Sequence, residues 1–129
     1  MLARVRELSA KLPEHPHDLV PVHADPQLAN WIRDAGGRIY LVDWDFARLD
    51  DPVTDPARLA WWLFESTDER RKFMRACGVD VDDSVVWQRA GWSLTTYAGH
   101  TGLLVARQGR FERATYFMDA TDRLLDSGL

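Results

Sequence analysis

The tightest constraint on the fold lies at Asp34-Ala35-Gly36-Gly37. Asn30-Trp31-Ile32-Arg33 precedes this stretch and Arg38-Ile39-Tyr40-Leu41-Val42 follows it, and both runs are β-like. Gly and Asp supply the positive φ that a tight connection needs, so the two runs are expected to pair as a hairpin. Every periodic stretch after Asp55 is helical. The pattern therefore specifies an α+β chain in which helix dominates and the β-structure is local.

The helical signals are specific. Leu2, Val5, Leu8 and Leu12 recur at helical spacing until Pro13 stops them. Glu14 to Asp18 reads as a polar loop, and Leu19-Val20-Pro21-Val22 as a short strand end leading into a loop at His23-Ala24-Asp25-Pro26. A polar, Asp-rich loop is expected from Asp45 to Thr54. Asp55 suits an N-cap and Pro56 the first helical position. Ala57-Arg58-Leu59-Ala60-Trp61-Trp62-Leu63-Phe64 is apolar on nearly every face, which predicts deep burial. Ser66-Thr67-Asp68-Glu69 has the capping-box pattern, and Gly78 sits where a helix should stop. Asp83 or Ser84 starts a long helix through Leu104. A last helix carries Phe111, Ala114, Phe117, Met118, Thr121, Leu124 and Leu125 on one face. With about five helices in all, the 129 residues read as a single domain over 1–129.

Composition narrows the function. The 16 basic and 20 acidic residues leave a net charge of −4, which disfavours a nucleic-acid partner. Charges interrupt every hydrophobic stretch, so no membrane span is expected, and the N-terminus lacks the apolar run of a signal peptide. The single cysteine, Cys77, excludes an internal disulfide framework and predicts a reducing, cytoplasmic setting.

Three short motifs stand close together. They are His23-Ala24-Asp25 with Asn30 five positions after Asp25, then Val42-Asp43-Trp44-Asp45, then Asp51-Pro52-Val53-Thr54-Asp55. A phosphoryl-transfer site needs a carboxylate to orient the acceptor hydroxyl and take its proton, and oxygen ligands for Mg²⁺. A loop Asp, an Asn five residues on, and a strand-end Asp across a hairpin would supply that set. The hairpin should bring Asn30 and Asp43 near each other, at the outer ends of paired strands. A strand-end carboxylate inside a core is costly unless it is used, which singles out Asp43. Asp50 and Asp51 read instead as a solvated loop with caps.

These motifs resemble the aminoglycoside phosphotransferase and choline kinase family, whose pattern is H-G-D-x-x-x-x-N, then a hydrophobic residue with D-[WF]-[DE], then D-P-x-x-D-L-A. The resemblance covers residues 19 to 65. It implies a protein-kinase-like C-terminal lobe, with catalytic and metal loops over 19–55 and a helical subdomain over 56–129. It implies transfer of the ATP γ-phosphoryl group to a hydroxyl of a small acceptor, with Mg²⁺. On that resemblance Asp25 is the catalytic base, and His23, the other catalytic residue, braces the catalytic loop. Asn30 and Asp43 are metal ligands, Asp45 is a further acid with a metal or structural role, and Asp55 is a structural brace. Ala24 stands where the family has glycine, a mild change where the backbone keeps negative φ. Pro56 stands where it has leucine.

A larger departure concerns the family's N-terminal lobe, which brings a phosphate-covering loop and a strand lysine. The chain has no G-x-G-x-x-G, and its two lysines, Lys11 and Lys72, both fall in helical patterns. The sequence therefore reads as a C-lobe with the N-lobe absent. The surface facing that lobe should be apolar, so self-association or pairing with a separate N-lobe chain is expected. The alternative reading is a non-catalytic, degenerate kinase or binding module that completes its site with a second chain.

Other residues carry weaker signals. His15, His17, His23 and Cys77 fit no common zinc spacing. Cys77 is expected as a buried small hydrophobe. Trp61 and Trp62 read as core. Trp87 and Trp92 cannot share one narrow helix face at a spacing of five, so one of them is expected at the surface. The acidic residues around Asp43 favour a cationic acceptor.

Overall fold

Two strand pairings, both short, hold the site region in place. The computed structural model describes residues 18–127 together with Glu7 and Ala10. The expected first helix over residues 2–12, with Lys11, and the loop residues His15 and His17 lie otherwise outside the described residues. The chain forms two compact units that divide between Val81 and Asp82.

The unit ending at Val81 holds β1 (Val20–Val22), a 3-10 turn (Leu28–Asn30), β2 (Trp31–Arg33), β3 (Ile39–Leu41), β4 (Arg48–Asp50), α1 (Thr54–Leu63) and α2 (Thr67–Ala76). The expected hairpin forms, with Trp31 opposite Leu41 and Arg33 opposite Ile39. Gly37 takes φ +84° in its turn. The Asp34 carboxylate accepts the Arg38 N–H at 2.9 Å, which closes the loop. Five of the six strand residues are exposed and the sixth, Leu41, is half-buried, so the hairpin has no face on a core.

β4 replaces part of the expected polar loop. It pairs antiparallel with β1, Val20 opposite Asp50 and Val22 opposite Arg48. Two of its three residues are charged, so no alternation marked it. It exists because β1 offers an edge, and Arg48 and Asp50 add an ion pair at 2.7 Å. Asp51 is not solvated, as the sequence suggested. It is buried, and its carboxylate accepts the Val53 N–H at 3.0 Å.

α1 begins one residue before Asp55, and its N-cap residue Val53 makes no side-chain cap. Asp55 is therefore inside the first turn and is occupied elsewhere. The helix buries less than its composition suggested: Ala57 and Ala60 are fully buried, Trp61 and Trp62 are half-buried, and Leu63 is exposed. Two adjacent indoles span too wide an arc to sit on one buried stripe. They pack edge to face on each other instead, at 5.1 Å. α2 starts at the Ser66 cap, whose hydroxyl accepts the Glu69 N–H and donates to the Glu69 carboxylate. It ends in a Schellman turn: Gly78 takes φ +85°, and the N–H groups of Gly78 and Val79 donate to Arg75 and Met74. Cys77 is exposed in that turn, not buried. Its partial burial nonetheless pushes the thiol pKa up, which disfavours a reactive thiolate.

The other unit is a helical hairpin of α3 (Ser84–Arg107) and α4 (Phe111–Ser127). Asp83 caps α3 by accepting the N–H groups of Val85 and Val86. Its 24 residues run for about 36 Å. Gly109, at φ +73°, turns the chain. Ala114, Phe117, Ala120, Thr121, Leu124 and Leu125 form the buried stripe of α4. Phe111 does not join them: it is 71% exposed in the first turn. Trp87 and Trp92 are both half-buried, so neither is the surface residue their spacing suggested. Among the described residues no helix is long and apolar enough to cross a membrane.

Candidate active site

His23, Ala24 and Asp25 follow β1, and the loop they form is held by three groups from later in the chain. From α1, the Asp55 carboxylate accepts two backbone N–H groups, His23 at 2.7 Å and Ala24 at 2.8 Å. Both bonds are charge-assisted, the stronger class of hydrogen bond. From the residue just after β3, the Val42 carbonyl lies 2.9 Å from His23 Nε2. A carbonyl only accepts, so Nε2 carries the proton and Nδ1 is the lone-pair nitrogen. Nδ1 then accepts the Asp25 N–H at 3.2 Å. Also from α1, a guanidinium nitrogen of buried Arg58 donates to the Ala24 carbonyl.

His23 is 1% exposed, and both of its ring nitrogens are engaged. It is a positioning residue, with no nitrogen left over for proton transfer. Trp44 covers it edge to face, ring centroids 4.7 Å apart, and is itself tied down by its indole N–H to the Leu41 carbonyl at 2.7 Å.

Ala24 takes φ +68°. Its replacement of glycine is therefore not the mild change that negative φ would have made it. An L-residue in the left-handed region costs about 1–2 kcal/mol, and here its methyl is buried. The one sequence signal of the strain is the glycine that the family pattern has at this position.

Asp25 is half-buried. Its carboxylate accepts the Gln27 side-chain amide at 2.9 Å and the Asn30 amide at 3.3 Å. Asn30 is buried at the end of the 3-10 turn, and its amide nitrogen also donates to the Asp25 carbonyl at 2.8 Å. Asp25 and Asn30 are thus brought together directly. The Val42 N–H donates to the Asn30 carbonyl at 2.9 Å, so Asp43 follows immediately on the residue paired with Asn30.

Asp43 is exposed, not in a core, because the hairpin that ends there is itself exposed. It takes φ +67°, a conformation that Asp tolerates better than most residues. Asp45 is exposed in the turn after Trp44. Among the described residues no three acidic, His or Cys side chains converge as a metal cage. Arg58, Gln27 and Trp44 were not read from the sequence as parts of this network. Arg58 left one signal, a lone charge in the otherwise apolar run from Ala57 to Phe64.

Two solved structures that resemble the chain are longer than it is. The crystal structure of LicA in complex with AMP superposes with a TM-score of 0.71 at 17% sequence identity, over 98% of this chain and 54% of that one. A choline/ethanolamine kinase family protein from Mesorhizobium loti gives a TM-score of 0.48 at 24% identity, over 97% of this chain and 47% of that one. The chain spans about half the length of both. The family model for APH, the phosphotransferase enzyme family, matches residues 1–84, a span that contains all three motifs and the whole loop network around His23 and Asp25, and the chain belongs to that family.

Proposed function

We propose that this chain carries the acceptor-activating and metal-holding part of a small-molecule kinase. The reaction is transfer of the ATP γ-phosphoryl group to a hydroxyl, with Mg²⁺. The observation that carries the proposal is the placement of Asp25, whose backbone is fixed through His23 and whose carboxylate is oriented by Asn30 and Gln27. A carboxylate so held can orient an acceptor hydroxyl and take its proton as the new P–O bond forms.

Asn30 and Asp43 would hold the metal. Their donors suit it, since hard Mg²⁺ prefers carboxylate and amide oxygens. Asn30 turns its amide nitrogen to Asp25, which leaves its oxygen as the ligating atom. Two protein ligands are few, as befits an ion that is shared with nucleotide phosphates. When bound, Mg²⁺ neutralises phosphate charge. Asp45 adds negative charge at the same exposed turn. Together with Asp43 it favours an acceptor that bears a positive charge.

One observation favours a second reading, in which a further lobe or chain is needed to complete the site. Trp31, Ile32, Ile39 and Tyr40 are all exposed on the hairpin beside Asn30 and Asp43. An apolar two-stranded hairpin with no covered face is marginal alone.

Calorimetric titration of MgATP into the wild type and Asp43→Ala separates the readings. Binding that needs both Mg²⁺ and Asp43 supports the metal site. Absence of binding in the folded wild type sinks it for the isolated chain and favours the second reading. Light scattering then reports self-association.

A further inference from the structure

We infer that Arg58 is a positioning residue for Asp25, acting through the peptide group between Ala24 and Asp25. Its relevance to phosphoryl transfer rests on the function proposed above; its geometry does not.

That peptide is held at both ends. Its carbonyl, on Ala24, accepts from the Arg58 guanidinium. Its N–H, on Asp25, donates to His23 Nδ1 at 3.2 Å. A peptide plane has only its two flanking dihedrals to turn about, and hydrogen bonds at opposite edges resist both. The plane follows directly on Ala24, which sits at φ +68°, where an L-residue is strained. Left alone, rotation of this plane, through ψ of Ala24 and φ of Asp25, would re-aim the Asp25 side chain.

α1 supplies both halves of the grip. Asp55 and Arg58 lie three residues apart, so they share one helix face. Asp55 takes the N–H of Ala24 and Arg58 takes its carbonyl. The acid therefore sets where the loop enters the strained residue, and the guanidinium sets how it leaves toward Asp25. Arg58 is 6% exposed. Lysine would bring the charge without the planar fork.

The test is NMR on the isolated chain, comparing wild type, Arg58→Met and Arg58→Lys. In Arg58→Met the Asp25 amide should exchange with solvent about tenfold faster or more, and the His23 Nδ1 resonance should move. The Phe64 amide, at the far end of the same helix, should keep its protection. Arg58→Lys should recover part of the Asp25 protection. An unchanged Asp25 amide and His23 Nδ1 in folded Arg58→Met would overturn the inference. So would equal loss of protection at Asp25 and Phe64, which marks a merely structural role. If Arg58→Met does not fold, the same two signals in Arg58→Lys decide the matter. MgATP affinity is measured alongside. A wild type that binds no MgATP removes the proposed function but leaves the NMR result standing.

Discussion

Asp55 Oδ2 accepts the backbone N–H of His23 at 2.7 Å, across 32 positions of sequence. With the second bond from Ala24 to Oδ1, one carboxylate in the first turn of α1 sets the path of the loop that carries Asp25. Asp55→Ala should destabilise the chain by about 3 kcal/mol, since it leaves two N–H groups of buried residues without their acceptor. Asp55→Asn keeps one acceptor oxygen and should cost less. Urea unfolding followed by circular dichroism measures both.

Ala24 should respond to substitution unlike other buried alanines. Ala24→Gly relieves about 1–2 kcal/mol of left-handed strain. It loses a buried methyl worth about 0.8 kcal/mol and adds unfolded-chain entropy worth about 0.4–1 kcal/mol. The sum is near zero. Ala57→Gly, in a helix and fully buried, has no strain to relieve and should cost about 2 kcal/mol. Ala24→Val should be worse than either, because β-branching opposes positive φ. Comparable losses for the two glycine variants would contradict this account.

His23 separates hydrogen bonding from ring packing. His23→Phe keeps an aromatic ring against Trp44 but abandons the Val42 carbonyl and the Asp25 N–H. It should cost about 2–4 kcal/mol, with little change in Trp44 emission. His23→Ala should cost at least as much and shift that emission to the red, as the indole loses its edge-to-face partner. Equal emission from both variants would argue against the ring contact.

Two glycines on α3 should behave oppositely. A Cβ at Gly102 would stand 2.8 Å from Met118 Sδ and 3.2 Å from Phe117 Cβ. Overpacking of this kind costs about 1–3 kcal/mol, more than the roughly 1 kcal/mol of helix propensity that alanine brings. Gly102→Ala should therefore destabilise, and Met118→Ala in the same chain should recover part of the loss. At Gly99 the nearest atoms are 3.7 Å away on Thr121, an ordinary contact. Gly99→Ala should raise stability by up to about 1 kcal/mol. Thermal unfolding of the three variants checks the signs.

Local signals were legible wherever local chemistry determines the backbone. The Asp34–Gly37 turn, the Ser66 capping box, the Gly78 stop and the Asp83 cap each rest on one residue's own hydrogen bonds or φ. The motif spacing around Asp25, Asn30 and Asp43 was equally readable, and it led to the family to which the chain belongs.

What the sequence could not show were relationships between distant residues. β4 is a strand only because β1 lies beside it. Asp55 looked like an N-cap because caps are local, but its carboxylate is taken by two N–H groups more than thirty positions away. Asp43 looked buried because strands usually have a core behind them, and this hairpin has none. Ala24 looked harmless because alanine, read alone, carries no sign of φ. Sequence by itself determined which segments become helix or hairpin and which residue types stand at the site, since those follow from one to four residues at a time. Only the tertiary structure decided how the Asp25 loop is held, because a carboxylate, an imidazole and a guanidinium each chose partners that the fold, not the chain, placed within reach.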